Sequence, residues 1–135
     1  AKLESEGLTD EESTILDTQR IEREHKLDWF AKLKDAGVRL ACGSDSAWGN
    51  YKMGGFQHEI EAHVTAGMSS MEAIVSATSD SARSLWLDSE IGILEPGRQA
   101  DLIVVEGNPV DDVSALWNVK DVFYSGSRVN RGDYV

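Results

Sequence analysis

The sequence predicts an α/β fold in which a helix, a buried strand and further helices are followed by short antiparallel strands. Two observations lead to this class. A helical pattern stops at Gly37 and the largely apolar segment VRLAC, residues 38–42, follows at once, as in half of a β-α-β unit. From Ile91 onward, helical spacing gives way to short β-branched segments between turn residues.

The first helix is expected to run from Thr9 to about Ala36. Thr9 and Glu12 have the spacing of a capping box, and Gly37 is a typical residue just past a helix end. The second half of the segment carries one apolar stripe at helical spacing. That stripe consists of Leu27, Phe30 and Leu33.

The predicted strand, Val38–Cys42, leads into the small-residue loop GSDS, which places Asp45 just past the strand's carboxyl end. A carboxylate at that position has two possible roles. It can cap the turn, or it can bind a divalent metal and accept a proton in catalysis. The strand and loop alone leave both open.

Two or three short helices are expected next. Phe56, Ile60 and Val64 recur every four residues, and Gly67 ends that pattern. A second capping box starts the next helix, and a further short turn can begin near Asp80. The capping residues are Ser69 and Glu72.

The last third of the chain predicts turns and strands. Pro96 and Gly97 occupy the central positions of a type II turn. The segment ADLIVV, residues 100–105, is a strand, and DVFYSGSRVN, residues 121–130, is a hairpin that turns at Ser125–Gly126.

Composition narrows the classes of function. The chain has 135 residues, and 13 basic against 24 acidic side chains give a net charge of -11. This balance argues against a nucleic-acid partner and against an anionic membrane surface. Cys42 is the only cysteine, so no intrachain disulfide can form. With no leader or membrane-spanning pattern visible, we expect a cytoplasmic protein.

Four segments together resemble the C-terminal end of amidohydrolase-superfamily enzymes, above all imidazolonepropionase-like and prolidase-like members. They are GVRLACGSDS, HEIEAHVTAGMSSMEAIVSATSDSAR, IGILEPGRQADLIVVEGNPVDD and VFYSGSRV. The resemblance runs from about Leu27 to Val129. It implies that residues 1–90 supply the last strand and helices of a metal-dependent (β/α)8 barrel. Residues 91–135 would supply the C-terminal strands of its small β-sandwich.

The resemblance also implies a site. Asp45 matches the aspartate after strand eight, which in the family binds the metal and handles protons for the attacking water. His58 and Trp48 lie in or beside loops expected near the active-site mouth, where they could contact substrate. The alternatives are that His58 is a surface residue and that Trp48 packs over the barrel rim. Asp101 matches a structural aspartate of the family, and Trp86 stands where the family often has glycine, which suggests a changed local turn.

Most of the family's metal ligands are absent from this sequence. It contains no His-x-His pair, and its histidines, His25, His58 and His63, lie in helical patterns. A (β/α)8 barrel needs about 250 residues, and this chain opens on Ala1 rather than methionine. We therefore expect a C-terminal fragment. A divalent metal, most simply zinc, belongs to the complete enzyme, and we expect none in this chain alone.

The expected activity is that of the complete enzyme: hydrolysis of a C–N bond in a small-molecule amide, cyclic amide or dipeptide by metal-activated water. The isolated chain is expected to be inactive. The alternative, from a different class, is a non-catalytic domain that self-associates as a homo-oligomer through the apolar faces of a truncated barrel.

Overall fold

The chain divides into two units, Ala1–Val38 and Arg39–Val135, in a computed structural model that describes residues 7, 9–46, 54–130 and 132. The first unit contains one long helix. The second contains three short helices, one 3-10 helix and a three-stranded sheet. The proposed boundary between barrel and sandwich parts at residues 90 and 91 stays a prediction.

Helix α1, Asp10–Asp35, begins with the predicted capping box. The backbone N–H of Glu12 donates to the Thr9 hydroxyl at 3.2 Å, and the Thr9 N–H donates to the Glu12 carboxylate at 2.9 Å. The Thr9 hydroxyl also donates to the Glu12 carboxylate, at 2.9 Å, and the two bonds that this carboxylate accepts from Thr9 hold the pKa of Glu12 below its ordinary value. Gly37, with a φ of +74°, follows the helix end as expected.

Helix α1 is amphipathic only weakly, and none of its residues is buried. Phe30 is half-buried, whereas Leu33 and Trp29 are 40% and 64% exposed. The predicted stripe therefore exists as a face of the helix, but much of its apolar surface remains in solvent.

The prediction of a strand at residues 38–42 is wrong for this structure: the segment has no regular secondary structure. A strand needs a neighbouring strand to complete its hydrogen-bond ladder. Here the backbone N–H of Cys42 instead donates to the carbonyl of Ser76 at 3.2 Å and to the hydroxyl of Ser81 at 3.1 Å. The segment is thus tied to helices rather than to a sheet. Cys42 itself is buried, as expected.

The second unit packs helices α2 (Gln57–Thr65), α3 (Ser70–Ala77) and α4 (Ser79–Ser84) around a small core. Gly67 ends α2 with a positive φ, and the predicted Ser69–Glu72 capping box starts α3. The buried apolar centre among the described residues consists of Cys42, Ile60, Ala73 and Leu116.

The C-terminal region forms an antiparallel sheet in the order β1 (Leu102–Val105), β2 (Val119–Tyr124), β3 (Ser127–Arg128). Leu102 lies opposite Phe123, and the register shifts between Val104 and Val105. A 3-10 helix, Val113–Trp117, connects β1 to β2. The described residues give a single sheet, and its membership of a β-sandwich stays a prediction.

Both predicted turns of this region are present. Gly97 has a φ of +90°, and the N–H of Arg98 donates to the carbonyl of Glu95 at 3.1 Å, as in a type II turn. Ser125 and Gly126 both have positive φ values, 49° and 76°, as a two-residue type I′ hairpin requires. Local turn chemistry therefore sets the path of the chain here.

Trp86 adopts a left-handed backbone conformation, with a φ of 62°. Glycine populates this region freely, whereas a bulky side chain does so at a cost. The indole is 90% exposed and gains no compensating burial. This position thus keeps the backbone conformation that glycine favours while it presents a large apolar side chain to solvent.

Candidate active site

Asp45 lies in an exposed turn directly after the segment that is tied to α3 and α4. Its φ of 44° is left-handed, a conformation that aspartate tolerates better than most residues. The hydroxyl of Ser44 accepts hydrogen bonds from the backbone N–H of Ser46 at 3.4 Å and from its hydroxyl at 2.9 Å. Among the described residues, Ser44 caps this turn, and the Asp45 carboxylate forms no hydrogen bond or ion pair.

His58 occupies the first turn of α2 and contacts the 3-10 helix rather than Asp45. Its ring lies 4.6 Å from the Trp117 indole, centroid to centroid, at an interplanar angle of 58°. Its Nδ1 is 3.5 Å from the Glu61 carboxylate, which also accepts a 2.7 Å hydrogen bond from the Trp117 Nε1–H. The His58 side chain is 72% exposed, so its outer edge remains accessible to a ligand.

Trp48, the other predicted substrate contact, lies outside the described residues. Within the described part of the chain, Asp45 and His58 share no hydrogen bond or ion pair, and their joint role in a site stays a prediction. The His58–Glu61–Trp117 cluster was missed because Trp117 is 56 residues away from Glu61. Only the i, i+3 spacing of His58 and Glu61 was visible in the sequence.

His63 belongs to a half-buried polar network with Ser76 of α3. Its Nδ1 is 2.9 Å from the hydroxyl of Ser76, which also lies 2.8 Å from the carbonyl of Ala73. Which of the two groups donates in the His63–Ser76 hydrogen bond depends on the tautomer of His63. Burial of the ring lowers the pKa of His63 below its ordinary value, and the negative charge of Glu59 opposes that effect.

The lowered pKa of His63 predicts a loss of stability in mild acid. In the unfolded chain His63 binds a proton near its ordinary pKa of 6.5, whereas the folded chain binds it only at lower pH. As pH falls below about 6.5, the unfolded state therefore gains protons first and the free energy of unfolding declines. Urea unfolding at pH 7.5 and pH 5.5 measures this slope.

The matched variant for that experiment is His63→Asn. Asparagine does not titrate, and its side-chain N–H can donate to Ser76. We expect the variant to have a smaller difference in unfolding midpoint between the two pH values. An unchanged slope in His63→Asn would assign the acid sensitivity to other groups.

The described residues do not form a metal site by themselves. No group of three or more histidine, cysteine, aspartate or glutamate side chains among them could hold a metal ion. Asp45 is a single oxygen ligand, whereas catalytic zinc takes three protein ligands. These residues thus do not fit a resident metal without ligands from elsewhere.

A cavity of about 790 Å³ lies between the helices and the sheet of the second unit. Its walls are mainly apolar. They include Ile60, Ile74, Leu85, Ile103, Leu116 and Val122. This cavity was not predictable from the sequence, because its walls come from helices, strands and loops far apart in the chain.

A sequence profile described as the amidohydrolase family matches residues 8–129. The chain belongs to the amidohydrolase family. The resemblance inferred from its motifs is thereby confirmed. No helix in the described part of this family member is long and apolar enough to cross a membrane.

Several known amidohydrolase relatives are similar to this chain. A 5-methylthioadenosine/S-adenosylhomocysteine deaminase of Teredinibacter turnerae is 33% identical over 89 residues, which are 60% of this chain and 20% of the relative. The ochratoxinase of Aspergillus niger is 32% identical over 100 residues, which are 72% of this chain and 20% of the relative. The chain thus spans about a fifth of the length of these relatives.

Solved structures show the same relationship. A Xaa-Pro dipeptidase with bound methionine has a TM-score of 0.70 and 38% identity, over 77% of this chain and 25% of that one. A prolidase-like protein from Bifidobacterium longum has a TM-score of 0.72 and 34% identity, over 76% of this chain and 26% of that one. The described fold is therefore that of part of a prolidase-like amidohydrolase.

Proposed function

We propose that this chain is the C-terminal part of a metal-dependent amidohydrolase and contributes Asp45 to its active site. Family members are hydrolases that act on C–N bonds, and the family generally uses divalent metals. The observation that supports the proposal most directly is the Asp45 turn: an exposed carboxylate, free of structural hydrogen bonds among the described residues, after an anchored segment.

The proposed role of Asp45 is that of a general base and metal ligand. Its carboxylate accepts a proton from the attacking water as the water oxygen bonds to the substrate's carbonyl carbon. The protonated carboxyl group then donates that proton to the leaving nitrogen as the C–N bond breaks. A divalent ion, most simply zinc, would lower the pKa of that water in the complete enzyme. Its remaining ligands would come from outside the described residues.

The proposed substrate is a small-molecule amide, cyclic amide or dipeptide. The candidate contacts in this chain are His58, with its exposed outer edge, and Trp48, which follows Asp45 by three residues in the sequence. The net charge of -11 and the single cysteine favour a cytoplasmic enzyme without nucleic-acid or membrane partners.

The proposal is tested on the polypeptide that carries these residues in its native source. Its intact mass is measured first, and it is then assayed with zinc for amine or ammonia release from amides, cyclic amides and dipeptides. We expect hydrolysis of at least one class and its loss on chelation. A folded native polypeptide that hydrolyses none of them would overturn the proposal.

A second candidate function is self-association of this chain as a homo-oligomer. One specific observation favours it: Leu85 and Trp86 are 65% and 90% exposed side by side, and Trp86 is held in a strained left-handed conformation. Adjacent apolar side chains exposed in this way are typical of association surfaces.

Self-association predicts an elution volume that depends on concentration. Because Trp86→Gly removes the exposed indole and relieves the backbone strain, we expect it to dissociate the oligomer without lowering the unfolding midpoint. Trp29→Ala, which removes an exposed indole from α1, is the matched control. Light scattering that gives a monomer for the wild-type chain at all concentrations would exclude this candidate.

A further inference from the structure

The hydroxyl of Ser81, in helix α4, contacts the backbone of the segment that precedes Asp45. This hydroxyl accepts a hydrogen bond from the backbone N–H of Cys42 at 3.1 Å. It also lies 3.1 Å from the carbonyl of Cys42 and 2.7 Å from the carbonyl of Ser76. One serine side chain thus contacts both backbone polar groups of a buried residue.

Among the described residues, these contacts pair the Cys42 N–H without a neighbouring strand. Cys42 is 8% exposed, and leaving that N–H unpaired at that depth would cost free energy. The carbonyl of Ser76 accepts a second bond from the same N–H at 3.2 Å. The single proton of the Ser81 hydroxyl goes to the nearer carbonyl, that of Ser76, so the junction between α3 and α4 pairs the backbone N–H of Cys42.

The position of Asp45 follows from this anchor. Three residues of chain span at most about 10 Å, so fixing Cys42 confines Asp45 to a small region. The hydrogen bonds of Ser46 to the Ser44 hydroxyl further restrict the backbone conformations open to Asp45. The Ser76 side chain is hydrogen-bonded to His63 of α2, so the residues that hold Cys42 are also connected to α2.

We propose that Ser81 is a positioning residue that holds the Asp45 carboxylate in place for the reaction. The inference rests on the proposed role of Asp45. Ser81 itself touches no reacting atom in this account: it acts through the backbone of Cys42. Loss of its hydroxyl should let residues 42–46 move while the helices stay formed.

Three variants separate the effect of the Ser81 hydroxyl from the effect of side-chain size. Thr and Val have the same shape, and only Thr keeps the hydroxyl, so Ser81→Thr and Ser81→Val differ in that group alone. Ser81 lines the cavity between helices and sheet, which gives the added methyl groups room. Ser84→Ala is the control on the same helix, because the Ser84 hydroxyl donates only to the carbonyl of Ser81 at 2.7 Å.

Backbone NMR of the 135-residue chain measures the anchor without any assay of activity. In Ser81→Val we expect the Cys42 amide to exchange about fivefold faster, the loss of one net hydrogen bond, and the amide signals of residues 44–46 to shift. Ser81→Thr and Ser84→Ala should match the wild type. Unchanged signals at 42–46 in Ser81→Val would overturn the proposal, as would a collapse of the whole spectrum, which would make Ser81 a general support of the core.

Turnover of the native polypeptide completes the test. We expect Ser81→Val to lower kcat by about tenfold to a hundredfold, as displaced catalytic groups do, with KM unchanged and Ser81→Thr close to wild type. A normal kcat in Ser81→Val would contradict the positioning role. If Asp45→Asn keeps full turnover while Ser81→Val still moves residues 44–46, the anchor stands and the role proposed for Asp45 fails.

Discussion

Replacing Asp45 with asparagine is expected to lower the kcat of the native polypeptide by about a hundredfold or more, the usual contribution of a positioned general base. Asparagine has the same size but accepts no proton and is a weaker metal ligand. It also tolerates the left-handed φ of 44° at this position. The fold should therefore survive, and steady-state kinetics with circular dichroism on the same sample measure both effects.

Asp101→Asn is the matched control for this experiment. It makes the same chemical change at an aspartate that resembles a structural residue of the family. The Asp101 carboxylate accepts a 2.7 Å hydrogen bond from the backbone N–H of Ser125. An asparagine carbonyl can still accept that bond, so we expect kcat to change less than twofold, within the ordinary scatter of surface substitutions. Full turnover in Asp45→Asn would remove Asp45 from the catalytic machinery.

Replacing Gly92 with alanine is expected to cause the largest loss of stability of any single change considered for this chain. Gly92 has a φ of 93°, and an added Cβ would lie 2.7 Å from the Cβ of Ala82, 3.0 Å from the Cα of Ser79 and 3.1 Å from the carbonyl oxygen of Thr78. None of these atoms ends a flexible side chain. Overpacking and backbone strain together should cost about 2–5 kcal/mol, a large part of the stability of an ordinary domain.

Gly97→Ala separates the two causes. Gly97 has nearly the same φ, 90°, but its added Cβ would meet nothing within 4 Å. It should therefore lose only the strain part, about 1–2 kcal/mol. Urea unfolding of both variants and the wild-type chain measures the difference. Equal losses would mean that the segment around Gly92 moves away from α4 without cost.

The candidate site was only partly predictable from the sequence. The motif GSDS predicted a small-residue loop around Asp45, and the structure has an exposed turn there, whereas the catalytic role of Asp45 stays a prediction. The surroundings of His58 were not predictable, because they depend on Trp117, in another part of the chain. Ser81 carried no sequence signal as an anchor, because serine is ordinary near the start of a helix.

Local structure was predictable from neighbouring residues alone. The capping boxes at Thr9 and Ser69, the Pro96–Gly97 turn and the Ser125–Gly126 hairpin formed as expected. Each depends on side-chain and backbone groups within a few residues. The conformation of residues 38–42, in contrast, depends on contacts with distant parts of the chain. Their apolar pattern is typical of a strand, but a strand exists only beside a partner. In this chain the partners of Cys42 are serines 34 and 39 residues further on.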